Sequence, residues 1–160
     1  MVNNRTFDRS APLLFFSWLC YRYGFGTYLH MIKGYYSQAS REESQGLLEN
    51  LVAKSSRVKG NMFVDTIISP SYTSAIAQVL QLPSSSGMEN NMIIFEYDKS
   101  NPEDLKQIID NLAMAEAGNF DICILGSSRR NVFSGNGINV WVRNLDRENT
   151  NLMILLSYII

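Results

Sequence analysis

The sequence is poor in the residues that most often build catalytic and metal centres. Its 160 residues include one histidine and two cysteines. Cys20 and Cys123 are far apart and lack CxxC spacing, so we expect two reduced core thiols in a cytoplasmic protein. His30 lies between Leu29 and Met31, with no acid or cysteine nearby in sequence. It is therefore interpreted as a core or sheet-face residue, and neither a triad nor a metal site is predicted.

The sequence also lacks a large excess of charge of one sign and lacks long apolar runs. The 14 basic and 15 acidic residues leave a net charge of −1, which argues against binding to nucleic acid or to an anionic membrane surface. The closing apolar run, 152–160, is shorter than the roughly 20 residues that a spanning helix needs. Residues 1–10 are polar and contain no signal-peptide core. With 46% hydrophobic residues, residues 1–160 are expected to form one globular domain without direct membrane insertion.

What is present is an alternation of helical and strand patterns, which predicts an α/β fold. Such an alternation is typical of a mostly parallel open sheet with helices on both faces. Helices are predicted over 8–23, 40–55, 72–82, 101–117 and 152–160, and strands over 27–35, 62–69, 91–97, 120–125 and 138–142. The last two strands are close in sequence, so a hairpin that makes the sheet mixed is an open alternative. The continuous apolar run at 92–95 places its strand centrally.

Two helix starts carry clear signals. Ser40 is expected to cap the second helix, with Glu43 reaching back to the cap amide as in a capping box. The apolar stripe of that helix is Leu47, Leu48, Leu51 and Val52. Asn101 is expected to cap the fourth helix, with Pro102 in the first position. Two acidic pairs, Glu42 with Glu43 and Glu103 with Asp104, are expected in the first turns of these helices. The helix dipole stabilises carboxylates at that position, so no catalytic role is assigned to them.

Two glycine-containing stretches invite a nucleotide interpretation. Gly24-Phe25-Gly26 follows a helix and precedes a strand, whereas a dinucleotide fingerprint needs the reverse order. It is interpreted as a helix end with glycine at positive φ. The loop Gly126-Ser127-Ser128-Arg129-Arg130 follows a buried strand, where open α/β sheets bind ligands, and its arginines could neutralise phosphate. No helix and no Walker lysine follow it, so a solvated turn or a subunit contact is the simpler interpretation.

The stretch 137–160 predicts a strand, a polar turn and a buried apolar helix. It also resembles the "DVWW…DGGMLMLLPFLL" stretch of the cytoplasmic C-terminal domain of cation-chloride cotransporters. Val142 occupies the position of the second Trp of that family pattern, and Glu148 and Asn149 occupy the positions of its turn glycines. The matching residues are Asn139, Val140, Trp141 and Asp146, followed by Leu152, Met153, Leu155 and Leu156. Lys59-Gly60 and the strand 63–69 resemble the "KVKGF…VV" strand of the same family.

The resemblance implies a domain of the sodium-potassium-chloride type, shaped like universal stress proteins, at the cytoplasmic face of the membrane. Residues 1–160 would be a fragment of a larger cytoplasmic C-terminal region whose membrane domain is absent. Such a domain would form a homodimer, contact the transporter's own membrane domain, and regulate or assemble the transporter. It would conduct no ions and would have no catalytic residue, cofactor or metal. The aromatic residues that offer a partner surface are Tyr35, Tyr36, Phe133 and Trp141, although core packing is expected for most of them.

Two other functions stay open from the residues alone. The first is a free-standing α/β protein that binds a nucleotide or small molecule through the loop after Leu125. The second is an enzyme whose site is assembled from separate loops.

Overall fold

Strands and helices alternate along the whole chain. The computed structural model describes residues 1–22, 24–82, 90–128 and 137–160. The helices are Ala11–Leu19 (α1), Gln38–Ser55 (α2), Tyr72–Gln81 (α3), Pro102–Ala117 (α4) and Thr150–Ile159 (α5). The strands are Val2–Asn3 (β1), Gly26–Lys33 (β2), Met62–Ser69 (β3), Met92–Asp98 (β4) and Asp121–Ser127 (β5). β1 was not predicted, because two residues are too few to show a period.

The strands form two parallel ladders that lie side by side. β2 pairs with β1 on one edge and along its whole length with β3 on the other. β4 pairs with β5 from Met92 opposite Asp121 to Asp98 opposite Ser127. β1 lies against β4, so the strands follow the order β3-β2-β1-β4-β5 across the molecule. The predicted parallel α/β architecture is confirmed.

Helices cover both faces of these strands, as the side chains of β4 show. Ile93 and Phe95 pack into a core formed with α3 and α4, while Ile94 points into a second core formed with α1 and α2. Alternate residues of a strand point to opposite faces, so the two cores lie on opposite sides of the sheet. The expected central position of the apolar strand is confirmed, because Phe95 is fully buried.

The start of α2 differs from the prediction. The helix begins at Gln38, and its cap is Ser37, whose Oγ accepts a hydrogen bond from the Ser40 amide at 3.2 Å. The Ser40 hydroxyl in turn accepts from the Ser37 amide at 2.8 Å. A capping box is therefore present three residues earlier than expected, with Ser40 in the place assigned to Glu43. Serine can fill both positions of the box, which is why the sequence pattern was ambiguous.

The glycine interpretation near residue 24 was also wrong in part. α1 ends at Leu19, and Gly26 already belongs to β2. Gly24 has no positive φ; a Cβ there would lie 2.5 Å from the Leu19 carbonyl oxygen. Close approach to the end of α1, rather than backbone conformation, explains the glycine.

The stretch after residue 137 departs most from the prediction. Residues 138–142 form no strand, and none of the described residues pairs with them, so the proposed hairpin is not formed in the described part of the chain. Strand propensity becomes a strand only where a partner supplies a ladder. α5 forms as predicted, but none of its residues is buried. The expectation of a buried helix was therefore wrong.

Candidate functional site

The loop Gly126-Ser127-Ser128-Arg129-Arg130, interpreted as a solvated turn or subunit contact with anion binding as the alternative, begins later than expected. Gly126 and Ser127 are the last two residues of β5, and Ser128 follows the strand. Arg129 and Arg130 lie outside the described residues. The described part of this stretch therefore lies at the carboxyl end of β5, the edge at which open α/β sheets bind ligands.

A buried ion pair joins this edge of the sheet to the segment before α1. The guanidinium of Arg9 donates from Nη2 to Glu96 Oε2 at 3.0 Å, and its Nη1 lies 2.9 Å from Glu96 Oε1. The two side chains are only 7% and 2% exposed. Ser127 completes the contact, because its hydroxyl accepts from Arg9 Nη1 at 3.1 Å and donates to Glu96. A bidentate arginine–carboxylate pair of this kind is among the stronger polar contacts in proteins.

Two further side chains extend this pair. Asn3, at the end of β1, donates from Nδ2 to Glu96 Oε2 at 2.9 Å. Asp98, at the end of β4, lies 3.4 Å from Arg9 Nη1. We refer to Asn3, Arg9, Glu96, Asp98 and Ser127 as the Arg9 cluster. It links the carboxyl ends of β1, β4 and β5, so each of these strands contributes one or more polar groups at the point where they meet.

The charges of the Arg9 cluster do not suit an anion. One guanidinium faces two carboxylates, which leaves a net charge of about −1 on the cluster at neutral pH. The hydroxyl of Ser127 is engaged by both Arg9 and Glu96. The Arg9 Nε is buried and has no hydrogen-bond partner in the described structure. The described groups therefore hold the three strands together and carry no positive charge to spare for a phosphate.

Sequence patterns gave no sign of the Arg9 cluster. Its arginine lies in the short segment before α1, and its glutamate is flanked by Phe95 and Tyr97 in a strand. A charged residue at position 96, within an otherwise apolar central strand, was the available signal. A buried glutamate requires a partner, but the sequence does not say which basic residue supplies it.

His30 belongs to a separate buried network. Its Nδ1 lies 3.0 Å from Thr6 Oγ1, which in turn lies 3.1 Å from Tyr28 Oη. The ring of Phe7 packs edge-on against the imidazole at a centroid distance of 5.0 Å. Burial lowers the pKa of His30, and the charges of Asp8 and Glu43 partly oppose that shift. The prediction of a core histidine is confirmed.

No metal centre is assembled in the part of the chain that the structure describes, since it contains no group of three or more His, Cys, Asp or Glu side chains. Both cysteines are free; Cys20 is buried and Cys123 is half-buried. Burial raises the pKa of Cys20 to about 11 and also raises the pKa of Cys123. Thiols with raised pKa values are poor nucleophiles and poor metal ligands.

The two acidic pairs predicted at helix starts differ in where they lie relative to those starts. Glu103 and Asp104 lie in the first turn of α4, as predicted, and Asp104 forms an ion pair with Arg5 at 3.3 Å. Glu42 and Glu43 were expected in the first turn of α2, which instead contains no acidic residue because the helix begins at Gln38. The prediction that an acidic pair lies in the first turn is therefore confirmed for α4 and wrong for α2.

Many large apolar side chains at the C-terminal end of the chain are exposed. Trp141 is 83% exposed and Leu145 is 90% exposed. We define the C-terminal apolar surface as the large exposed apolar residues of 137–160, namely Ile138, Val140, Trp141, Val142, Leu145, Ile154, Leu155 and Tyr158. So many exposed large apolar side chains within one short stretch are typical of an interaction site.

The other aromatic residues suggested for a partner surface are also exposed where they are described. Tyr35 and Tyr36 follow β2 and are mostly solvent-accessible, so the expectation that most of these aromatics pack in the core was wrong. Phe133 lies outside the described residues. Val52, expected in the buried stripe of α2, is exposed as well, and only Leu51 of that stripe is fully buried.

Within the described ranges, no helix combines the length and the apolar character needed to span a membrane.

Comparison of the sequence with models of known protein families and with curated proteins gave no match.

Proposed function

We propose that this chain is a regulatory and assembly domain of a cation-chloride cotransporter of the sodium-potassium-chloride type. The observation that carries the proposal is the C-terminal apolar surface. α5 is one of the most apolar segments of the sequence, yet none of its residues is buried. Exposing such a helix to water is costly, at roughly 25 cal/mol for each Å² of apolar surface. A second protein surface that covers it would recover this free energy.

Three of the residues that carry the sequence resemblance fall on the same surface. Val140, Trp141 and Leu155 match the cotransporter stretch and are all exposed. Tryptophan is a frequent anchor of protein interfaces, because it brings a large apolar area at low cost in side-chain entropy. We therefore propose a homodimer that forms through the C-terminal apolar surface, at the cytoplasmic face of the membrane and next to the transporter's own membrane domain.

In this role the domain conducts no ions. Its contribution is to hold two transporter subunits together and to pass conformational changes between them. The Arg9 cluster supports such a role, because it links β1, β4 and β5 into one unit that can transmit force.

Light scattering over a concentration series tests the proposal. We expect a dimer whose mass falls towards that of a monomer on dilution and does not respond to ATP. Trp141→Ser should weaken the dimer by a factor of ten or more, as loss of an aromatic anchor does. Phe63→Ser is the matched control, since it removes a 52% exposed aromatic residue on β3, outside this surface, and it should leave the dimer unchanged.

The alternative function predicts a different result. The strand order reverses between β1 and β4, which is the usual ligand position in open α/β sheets, and the end of β5 lies next to that of β4. A chain that stays monomeric at all concentrations and is stabilised by ATP would overturn the assembly proposal. It would favour a nucleotide-binding protein that uses the loop Gly126 to Arg130.

A further inference from the structure

A cavity lies at the opposite edge of the sheet from the Arg9 cluster. This half-open cavity has a volume of about 770 Å³ and is bounded by α5 and the amino ends of β2, β4 and β5. The end of α1 and the last turns of α3 close its sides. This volume falls within the roughly 300–1,000 Å³ that is usual for small-molecule sites.

One wall of the cavity is a regular apolar stripe on α5. It consists of Leu152, Leu155, Leu156 and Ile159, which lie at helical spacing on one side of the helix. The facing wall is equally apolar and is formed by Phe16, Leu19, Leu29, Val79, Leu80 and Ile93. Side chains that face an empty space lose the dispersion contacts that a packed core would provide. An apolar occupant would restore these contacts on both walls at once.

One polar part of the lining lies at the amino ends of β4 and β5, and Asp121 there is exposed. Thr27 on β2 and Tyr158 on α5 are further polar residues of the lining. Asn90 and Asn91 precede β4, and Asp121 begins β5, where its amide donates to the Asn91 carbonyl oxygen at 2.8 Å. Among the described residues, the Asp121 carboxylate has no hydrogen-bond or ion-pair partner.

In the described part of the chain, no lysine, arginine or histidine lines the cavity. Met1 is part of the lining, but its amine donates to the Thr27 carbonyl oxygen at 2.8 Å, and burial lowers the pKa of that amine to about 5. The lining therefore offers an apolar body and an end that carries an unpaired negative charge.

We propose that this cavity binds a cationic amphiphile, a molecule with an apolar body and a protonated amine at one end. The body packs between α5 and the amino ends of the strands, and the amine lies near Asp121. An anionic amphiphile of the same length is disfavoured, because its carboxylate would meet Asp121 without a balancing positive charge. The cavity is formed within a single chain, and it shares Leu155 and Tyr158 with the C-terminal apolar surface.

Displacement of Nile red from residues 1–160 tests this inference. The dye is uncharged and apolar, and its fluorescence rises on transfer from water to an apolar site. We expect dodecylammonium to displace it at about fivefold or more lower concentration than dodecanoate, the order of magnitude of one partly exposed charge pair, with dodecanol between them. Asp121→Asn should remove the difference between the amine and the carboxylate and leave dodecanol unchanged.

Two tryptophan substitutions on α5 separate the cavity from the outer surface. Leu156→Trp fills the cavity and should weaken dye binding tenfold or more, whereas Ile154→Trp lies on the same helix outside the lining and should leave it unchanged. Leu152→Trp provides a second filling variant where Leu156→Trp does not fold. Equal dye binding by the filling and control variants would overturn the inference, as would stronger binding of dodecanoate. Loss of dye binding on dimerisation would also overturn it, because the partner chain would then be the occupant.

Discussion

Arg9 and Glu96 form a bidentate ion pair in the interior of the protein, although 87 residues separate them in the sequence. Both side chains are almost fully shielded from water. Their pairing brings the segment before α1 onto the central strand β4. The sheet edge at which β1, β4 and β5 meet is therefore held by charge as well as by apolar packing.

Arg9→Met is expected to destabilise the protein strongly. The substitution preserves much of the side-chain volume but removes the guanidinium that pairs with the buried Glu96 carboxylate. Removal of one partner of a buried pair costs about 3–5 kcal/mol of the free energy of unfolding, which urea denaturation would measure. Arg143→Met is the control, because the Arg143–Asp146 pair is on the surface and the arginine is 79% exposed; its midpoint should equal that of the wild type. Equal midpoints for both variants would contradict the importance of the buried pair.

Phe95→Ala should be among the most damaging core substitutions. The ring of Phe95 is fully buried in the core between β4 and the helices α3 and α4, and phenylalanine-to-alanine changes in such sites cost about 3–5 kcal/mol. Phe63→Ala on β3 is the matched control, since Phe63 is 52% exposed, and it should cost about 1 kcal/mol or less. Chemical denaturation of both variants would check this. Similar losses at the two positions would contradict the central placement of β4.

The protein should lose stability in acid through His30. Its pKa is lowered in the folded state by burial, so below pH 6.5 the unfolded chain binds a proton that the folded chain resists. Stability then falls as the pH drops through the unfolded value of about 6.5. Because the sequence has one histidine, His30→Gln removes the whole imidazole contribution. Urea midpoints at pH 7.5, 6.5 and 5.5 should converge for wild type and variant as the pH falls, and an imidazole pKa above 6.5 by NMR would be incompatible with this mechanism.

Cys20 should be protected from thiol reagents in the folded protein. Its pKa is raised to about 11 by burial, so little thiolate is present at pH 8, and its side chain lies in the core with Phe16 and Tyr28. In a Cys123→Ser background, reaction with Ellman's reagent should be slow in buffer and fast in concentrated urea. Complete reaction within minutes under native conditions would show that this core opens readily.

The parts of the fold that the sequence predicts well are those with strong local signals. The strand 62–69 coincides with β3, and the helix predicted from Tyr72 begins there. Ile93, Ile94 and Phe95 form a continuous apolar run that only a strand covered on both faces can bury. In these segments the local pattern and the tertiary environment agree.

The errors arise where a structure depends on a distant partner. Residues 138–142 have the composition of a strand but no ladder within the described chain, and a strand cannot form alone. The Arg9 cluster was missed for the same reason, because no local pattern pairs a residue before the first helix with one in the fourth strand. The capping box of α2 is a different case, since Ser37 and Ser40 both fit a cap and only the path of the backbone distinguishes them.

The uncovered stretch Ile138–Val142 also has a consequence for the behaviour of the protein in concentrated solution. It contains three β-branched residues and a tryptophan, with no charge and no proline, the composition of segments that stack into cross-β fibrils. Most of these side chains are exposed in the folded chain, so aggregation through them needs no unfolding. A lysine in place of Val140 would act as a gatekeeper and should extend the concentration range over which the protein remains clear.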